Sequence, residues 1–177
     1  MKKLRISGIV ILALLLLSVS AGAAEVKIGY ANLQRALNEC DAGLKAKDTL
    51  QQEAQGLEAE LNAKQEALKK MKQEIDKKSS VWNKETKAAK EAAFKARSQE
   101  FQKQFMEYGD KLNKRKQEVE ADIIKALRDT VEEVAKKKGY TYVFERSVGG
   151  LLYAPPENDL TPEVIKVYNE HFKSSGK

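Results

Sequence analysis

The chain has little of what most catalytic or disulfide-stabilised proteins need. Its 177 residues include one cysteine, one histidine, one tryptophan and three prolines. The single cysteine, Cys40, excludes an intrachain disulfide, and we interpret it as an inert, half-buried thiol, with an intermolecular bridge as the alternative. His171 has no cysteine or carboxylate partner at a recognisable spacing, and the sequence contains no glycine-rich phosphate loop. We therefore expect no catalytic residues, no metal site, no cofactor and no enzymatic activity.

The only long apolar run lies at the N-terminus. Lys2, Lys3 and Arg5 precede an uncharged stretch at residues 9–19, and small residues follow it at 21–23. The run is shorter than the roughly 20 residues of a membrane-spanning helix, so this order predicts a secretory signal peptide at residues 1–23 that is cleaved on export. Without it, 29 basic and 26 acidic residues remain, and the net charge falls from +6 to +3. Half of the basic excess therefore belongs to targeting, and we expect no nucleic acid as a partner.

The middle of the chain has the composition of long helices. No proline occurs between residues 42 and 138, where alanine, glutamate, lysine, glutamine and leucine predominate. Apolar side chains recur at spacings of three, four and seven residues, but this stripe breaks between Ile75 and Phe94, where two serines and an asparagine favour a turn. The pattern predicts a long antiparallel helical hairpin, a coiled-coil arm at residues 42–123 with its turn near residues 79–84.

Two glycines interrupt the predicted arm. Folding the chain at the turn places Gly56 opposite Gly109, at the same height on the two helices. A glycine inside a helix costs about 1 kcal/mol relative to alanine, so both helices are weak at one level. We predict a flex point there. The alternative is that both glycines are tolerated and that their alignment is chance.

The two ends of the chain should lie together at the base of this hairpin. Residues 26–31 alternate apolar with polar or small side chains, which predicts a strand, and residues 140–154 predict a β-hairpin with two glycines at its turn. An isolated hairpin is only marginally stable, so we expect it to join the first strand in a three-stranded sheet, followed by a C-terminal helix. The expected fold class is α+β, mainly helical, with a discontinuous β-rich body at residues 24–41 and 124–177.

This body is too small to bury a sizeable core by itself. We therefore expect it to associate with other copies of the chain through the large side chains of its strands. The candidates for the oligomer interface are Ile28, Tyr30, Tyr142, Phe144, Leu151 and Tyr153.

Three sequence blocks carry a resemblance to a known family. They are KIGYANLQRAL near the start, GYTYVFERSVGGLLYA after the helical hairpin, and DLT leading into PEVIKVYNEHF at the end. In this order, around a charged hairpin and behind a signal peptide, they resemble the Skp (OmpH-like) periplasmic chaperones over essentially the whole mature chain. Family members commonly carry Val-Asp where this chain has Ala31-Asn32, and Asp where it has Glu145, which affects local turns.

The resemblance implies a homotrimer in the periplasm with three helical arms around a cavity. It implies a chaperone that holds unfolded outer-membrane β-barrel proteins without ATP and prevents their aggregation before membrane insertion. The alternative from the residues is a structural coiled-coil adaptor or spacer of the cell envelope. The two are distinguished by whether the free protein suppresses aggregation of unfolded membrane proteins.

The arm supplies candidate residues for binding such clients. A two-helix arm cannot bury its whole apolar stripe, so some apolar surface should remain available for weak contacts, although the same side chains also form the seam between the helices. The client-binding candidates are Met71, Trp82, Phe94, Phe101 and Phe105.

The tip of the arm is strongly basic. Between residues 69 and 90, eight lysines accompany three acidic residues. This charge would attract acidic clients or an anionic lipid surface, and the alternative is a solvated tip that keeps the arm soluble. The lysines are Lys69, Lys70, Lys72, Lys77, Lys78, Lys84, Lys87 and Lys90.

Overall fold

The computed structural model describes residues 26–176, and the signal peptide predicted at residues 1–23 lies outside them. The described chain is mainly helical, as expected, with a small sheet. In chain order its elements are β1 (Ile28–Ala31), α1 (Leu33–Glu39), α2 (Asp41–Lys78), α3 (Lys84–Lys138), β2 (Tyr142–Glu145), a single 3-10 turn (Pro156–Asn158) and α4 (Thr161–Ser174).

The two long helices, α2 and α3, form an antiparallel pair joined by residues 79–83. The direction follows from side-chain contacts, since Lys90 reaches Glu74 near the turn and Tyr108 reaches Glu60 further from it. Asn83 caps the start of α3 by accepting a hydrogen bond from the Thr86 amide at 2.8 Å. The 38 residues of α2 extend about 57 Å, so most of the pair projects away from the rest of the chain.

The sheet differs from the expected one. β1 and β2 pair in parallel, with Ile28 opposite Tyr142 and Tyr30 opposite Phe144, so the predicted association of the two chain ends is present. Within residues 26–176, however, the sheet has two strands, and residues 151–154 form none. The single described chain therefore lacks the predicted β-hairpin and the third strand.

The reason lies in the turn after β2. The Gly149 amide donates to the Glu145 carbonyl at 3.0 Å, which closes a one-turn helical bend rather than a two-residue hairpin turn. Gly150 then adopts a left-handed conformation with φ +66° and directs the chain away from β2. The chain crosses to the other edge of β1, where the Leu160 amide donates to the Tyr30 carbonyl at 2.8 Å. That edge of β1 is thus already occupied.

The hydrophobic core lies where the chain ends meet. It is formed mainly by residues from α1, from the last four turns of α3 and from α4, and includes Leu37, Leu127, Val134 and Val164. Gly29 allows the close packing of this region, because a Cβ added there would collide with Leu160 and with the Tyr140 ring. We refer to residues 26–42 and 123–176 as the body and to residues 43–122 as the arm. No helix within the described residues is long and apolar enough to cross a membrane.

Candidate functional site

The apolar stripe of the arm is only half-buried. In the arm, all of which the structure describes, Ile75 is the only buried residue. The other large apolar side chains of the stripe lie between α2 and α3 but remain partly open to solvent, because two helices cannot surround them. These half-buried residues are Leu50, Leu57, Leu61, Leu68, Met71, Phe94, Phe101, Tyr108 and Leu112.

The predicted client-binding residues are distributed along this seam. Met71, Phe94 and Phe101 are half-buried between the helices, whereas Phe105 lies beside the seam with 61% of its surface exposed. Met106 is equally exposed next to it and was not among the predicted residues. Because it lies outside the three-four-seven spacing of the stripe, sequence periodicity gave no signal for it.

Polar side chains hold the two helices together where a core is missing. The Tyr108 hydroxyl donates to Glu60 Oε2 at 2.6 Å, and this hydrogen bond to a carboxylate raises the pKa of Tyr108. Lys64 bonds to Gln104 across the seam, and Lys90 Nζ lies 3.4 Å from Glu74 Oε1. These contacts leave the aromatic rings between them accessible from the sides.

The body presents a second apolar surface on one face of its sheet. Ile28, Tyr142 and Phe144 point to the same face, since paired residues of a sheet share a side, and all three are exposed. Of the other predicted interface residues, Leu151 is half-buried and Tyr153 is 82% exposed.

Tyr30 is the exception among the predicted interface residues. It is only 4% exposed, and the Arg146 guanidinium lies 5.2 Å from its ring centroid. Tyr30 lies on the same face as its partner Phe144, but Arg146 covers its ring there, so its side chain is not available to a partner.

Comparison with known proteins places this architecture in a family. A model of the family described as outer membrane protein (OmpH-like) matches residues 27–168. The chain belongs to the OmpH-like family. The Skp-like protein of Pseudomonas aeruginosa is 30% identical to it, with 91% of this chain and 95% of that protein covered. The Skp-like protein of Chlamydia pneumoniae is 29% identical and is covered to 98%, as is this chain.

A solved structure has the same fold. The crystal structure of an OmpH-like protein of Caulobacter crescentus, described as an outer membrane chaperone, superposes with a TM-score of 0.78. The match covers 85% of this chain and 88% of that one. Because the sequence identity is 17%, the match shows a shared fold alone. Together with the family match and the two relatives, it confirms the resemblance to the Skp (OmpH-like) chaperone family.

The tip of this OmpH-like protein combines basic and apolar side chains. Val81 is exposed, whereas Trp82 is half-buried under Lys90, whose Nζ lies 5.7 Å from the indole centroid. Several of the eight tip lysines pair with acids on their own helix, such as Lys72 with Asp76 at 3.1 Å. Among the described residues Lys70, Lys77 and Lys84 have no such ion pair.

The two glycines of the arm lie near one level. Contacts across the seam bracket the predicted register, since Lys90 meets Glu74 within about one residue of it, whereas Tyr108 meets Glu60 and Gln104 meets Lys64 about three residues from it. Gly56 and Gly109 are both exposed, and no atom lies within 4 Å of a Cβ added to either. Packing therefore does not require glycine at these two positions.

The cysteine and the histidine of the OmpH-like chain lie in structural contacts of the body. Cys40 is fully buried rather than half-buried, and its sulfur accepts a hydrogen bond from the Gly43 amide at the start of α2. Burial raises the pKa of this thiol. His171 is exposed, with Nε2 3.7 Å from Glu133 Oε2. Among the described residues no cluster of three histidine, cysteine or acidic side chains is arranged to hold a metal ion.

Proposed function

We propose that this OmpH-like protein is an ATP-independent periplasmic holdase. It binds unfolded outer-membrane β-barrel proteins in a cavity between the arms of a homotrimer and prevents their aggregation before membrane insertion. The observation that carries this proposal is the incomplete burial of the arm, in which Ile75 alone is buried while the leucine and aromatic stripe stays half-open.

A half-open stripe suits an unfolded client better than a folded one. Each exposed edge of a leucine or phenylalanine offers a small apolar contact, at about 25 cal/mol per Å² of surface removed from water. Many such contacts along the arm bind a flexible chain without fixing one conformation. Release then follows when the client buries its own apolar surface in the membrane, so no nucleotide is needed.

The assembly proposed for the body follows from its uncovered apolar face. Ile28, Tyr142 and Phe144 expose about half of their surface on one face of the sheet, Tyr153 is more exposed still, and grouped apolar side chains of this kind mark interaction sites. Closed cyclic association covers this face in every copy and projects one arm from each, close to the arm predicted at residues 42–123. The segments 24–41 and 124–177 form the shared base in this arrangement.

The test uses the mature chain, residues 24–177. Analytical ultracentrifugation should give a trimer, and the same protein should suppress light scattering when a urea-unfolded β-barrel protein is diluted into buffer. A trimer that leaves the scattering unchanged would favour the alternative, a structural spacer of the envelope. A monomer without effect on scattering contradicts both the assembly and the holdase activity.

The basic tip is proposed to attract acidic segments of clients or an anionic lipid surface. Replacing Lys70, Lys77 and Lys84 by glutamine should slow client binding several-fold in low salt, and the difference should vanish above roughly 0.5 M salt because charges are screened. Sedimentation of the protein with anionic and with neutral vesicles tests separately whether the basic tip binds an anionic lipid surface. Equal sedimentation with both would show that binding does not depend on the charge of the lipid, and sedimentation with neither would show no lipid binding; either result removes attraction of the basic tip to an anionic lipid surface.

A further inference from the structure

A pocket lies at the root of the arm, where residues 42–53 of α2 pass residues 115–126 of α3. The helix α4 packs beside both of them at this level and contributes Tyr168 and Phe172 to the lining. We call this the root pocket. Its volume of about 590 Å³ lies within the usual range of ligand sites in proteins.

The floor of the root pocket is apolar. Ile123 is buried, whereas Leu50, Val119, Tyr168 and Phe172 are half-buried. These side chains come from three helices that pack against one another, so the floor is already formed without an occupant. A preformed apolar floor lowers the entropy that is lost when an apolar group binds to it.

Four charged side chains surround this floor. Lys45 and Glu53 belong to α2, and Arg115 and Asp122 belong to α3. All four are exposed, and among the described residues none of them forms an ion pair or a side-chain hydrogen bond. Lys45 Nζ lies 5.9 Å from the ring centroid of Phe172, at the edge of the floor. The pocket thus offers two cations and two carboxylates that have no partner.

Opposite charges face each other across the root pocket without meeting. In the register of the two polar contacts across the seam that lie nearest the root, Lys45 is level with Asp122, and Glu53 is level with Arg115. The pocket lies between the members of each pair and keeps them too far apart for an ion pair. A group that lies between them must accept a hydrogen bond from the cation and donate one to the carboxylate.

A peptide group has both of these functions, because it carries one C=O and one N–H. The two charge pairs are separated along α2 by about 12 Å, which an extended segment spans with about four residues. An unfolded chain has such segments with unpaired amides and carbonyls. An anionic lipid would instead meet the two carboxylates, and an acyl chain would leave all four charges without a partner.

We propose that the root pocket binds a short extended segment of an unfolded client. One large apolar side chain of the segment lies on the floor, and its peptide groups lie between the facing charges. The inference rests on the proposed holdase function and assigns to it a shaped site at one end of the half-open stripe.

Photocrosslinking tests the site directly. The mature chain carries p-benzoylphenylalanine in place of Thr49, an exposed residue of the lining, or in place of Asp48, an exposed neighbour outside the lining that serves as the matched control. After dilution of a urea-unfolded β-barrel protein and irradiation, position 49 should crosslink to the client several-fold more than position 48. Mass spectrometry should place these crosslinks beside large apolar residues of the client.

A second pair of variants fills the pocket. Ala126→Leu enlarges a half-buried residue of the lining, and Ala121→Leu makes the same change at an exposed position of α3 outside it. Ala126→Leu should weaken affinity for the β-barrel protein by about three- to tenfold, and Ala121→Leu should leave it unchanged. Urea unfolding of both variants checks that they are folded. If Ala126→Leu does not fold, the crosslinking experiment decides alone.

Several outcomes overturn the proposal. Equal crosslinking at positions 48 and 49 would do so, as would equal affinities of the two folded leucine variants. Crosslinks from position 49 to another copy of the chain, or to the lipid of added phosphatidylcholine vesicles in preference to the client, would identify a different occupant. If the protein suppresses aggregation while position 49 gives no client crosslinks, the holdase activity stands and the root pocket is not its site. If the protein does not suppress aggregation, the holdase proposal fails, and this inference fails with it.

Discussion

The body and the arm use the same kinds of apolar residue in opposite ways. In the body, three helices surround Leu127 and Val164 and remove them from water completely. In the arm, leucines of the same size lie between only two helices and remain half-open. The number of elements around a side chain, not its hydrophobicity, decides whether it stabilises the fold or stays available for binding. The body is thus expected to carry the stability and the arm the activity.

Leucine-to-alanine substitution in the two regions should show the largest contrast. Leu127→Ala should destabilise the protein by about 2–5 kcal/mol, because it leaves a cavity in the core. Leu61→Ala removes a half-buried side chain and should cost only about 1 kcal/mol. Urea unfolding at a fixed protein concentration measures both. Equal shifts of the midpoint would mean that the arm has a core comparable to that of the body.

Filling the two glycine positions should have the next largest effect. Gly56→Ala and Gly109→Ala meet no neighbouring atom, and each should stabilise its helix by about 1 kcal/mol. If this level is a flex point, the double variant should also narrow the distribution of distances between spin labels on the arms.

The two readouts separate the two interpretations of the glycines. Greater stability with an unchanged distance distribution would show that they are merely tolerated. Gln55→Ala, an exposed neighbour on the same helix, is the control and should change neither measurement.

The sequence predicted the helical hairpin well because its signal is local. The apolar spacing, the capping Asn83 and the C-terminal Gly139 each act within one or two turns of helix. The pairing of β1 with β2 was also predictable, because an antiparallel helical hairpin brings the two ends of the chain together at its base. The conformation of residues 151–154 did not follow from the pattern. The residues GGLLYA suit a returning strand, but the hydrogen bonds of Glu145 impose a helical bend that composition does not show.

The same limit applies to the candidate sites. Alternation along the expected strand selected Leu151 and Tyr153 and left out Leu152, which is the most exposed of the three because no strand forms. Tyr30 was selected by the same alternation, but it is buried, with the Arg146 guanidinium over its ring. Contacts between residues more than a hundred positions apart decide these cases, and spacing alone does not reveal them.

Removing an exposed ring from the arm should reduce binding without reducing stability. Phe105→Ser takes away a contact that the fold does not use, so affinity for an unfolded β-barrel protein should fall by about three- to tenfold. The free energy of unfolding, measured by urea titration, should change by less than about 0.5 kcal/mol. Gln102→Ser, exposed on the same helix, should alter neither quantity. An affinity that stays unchanged in Phe105→Ser would place client binding elsewhere than on the side of the arm.

The smallest effect is expected from the hydrogen bond between Tyr108 and Glu60. The Glu60 carboxylate accepts a hydrogen bond from the Tyr108 hydroxyl, with 2.6 Å between the two oxygens. It therefore favours the neutral phenol and raises the pKa of Tyr108 above its ordinary value of about 10. Because the folded-state pKa is raised, the bond supports the arm at neutral pH and is lost as the pH rises through that value.

Ultraviolet titration can isolate this tyrosine. The wild-type curve minus that of Tyr108→Phe should have a midpoint above the ordinary tyrosine value, and Glu60→Gln should bring the midpoint back toward it. A midpoint at or below the ordinary value would show that the bond is absent in solution. Since the bond joins the two helices beside the accessible rings, its loss would also mean that the seam of the arm is held by its half-buried apolar side chains alone at this level.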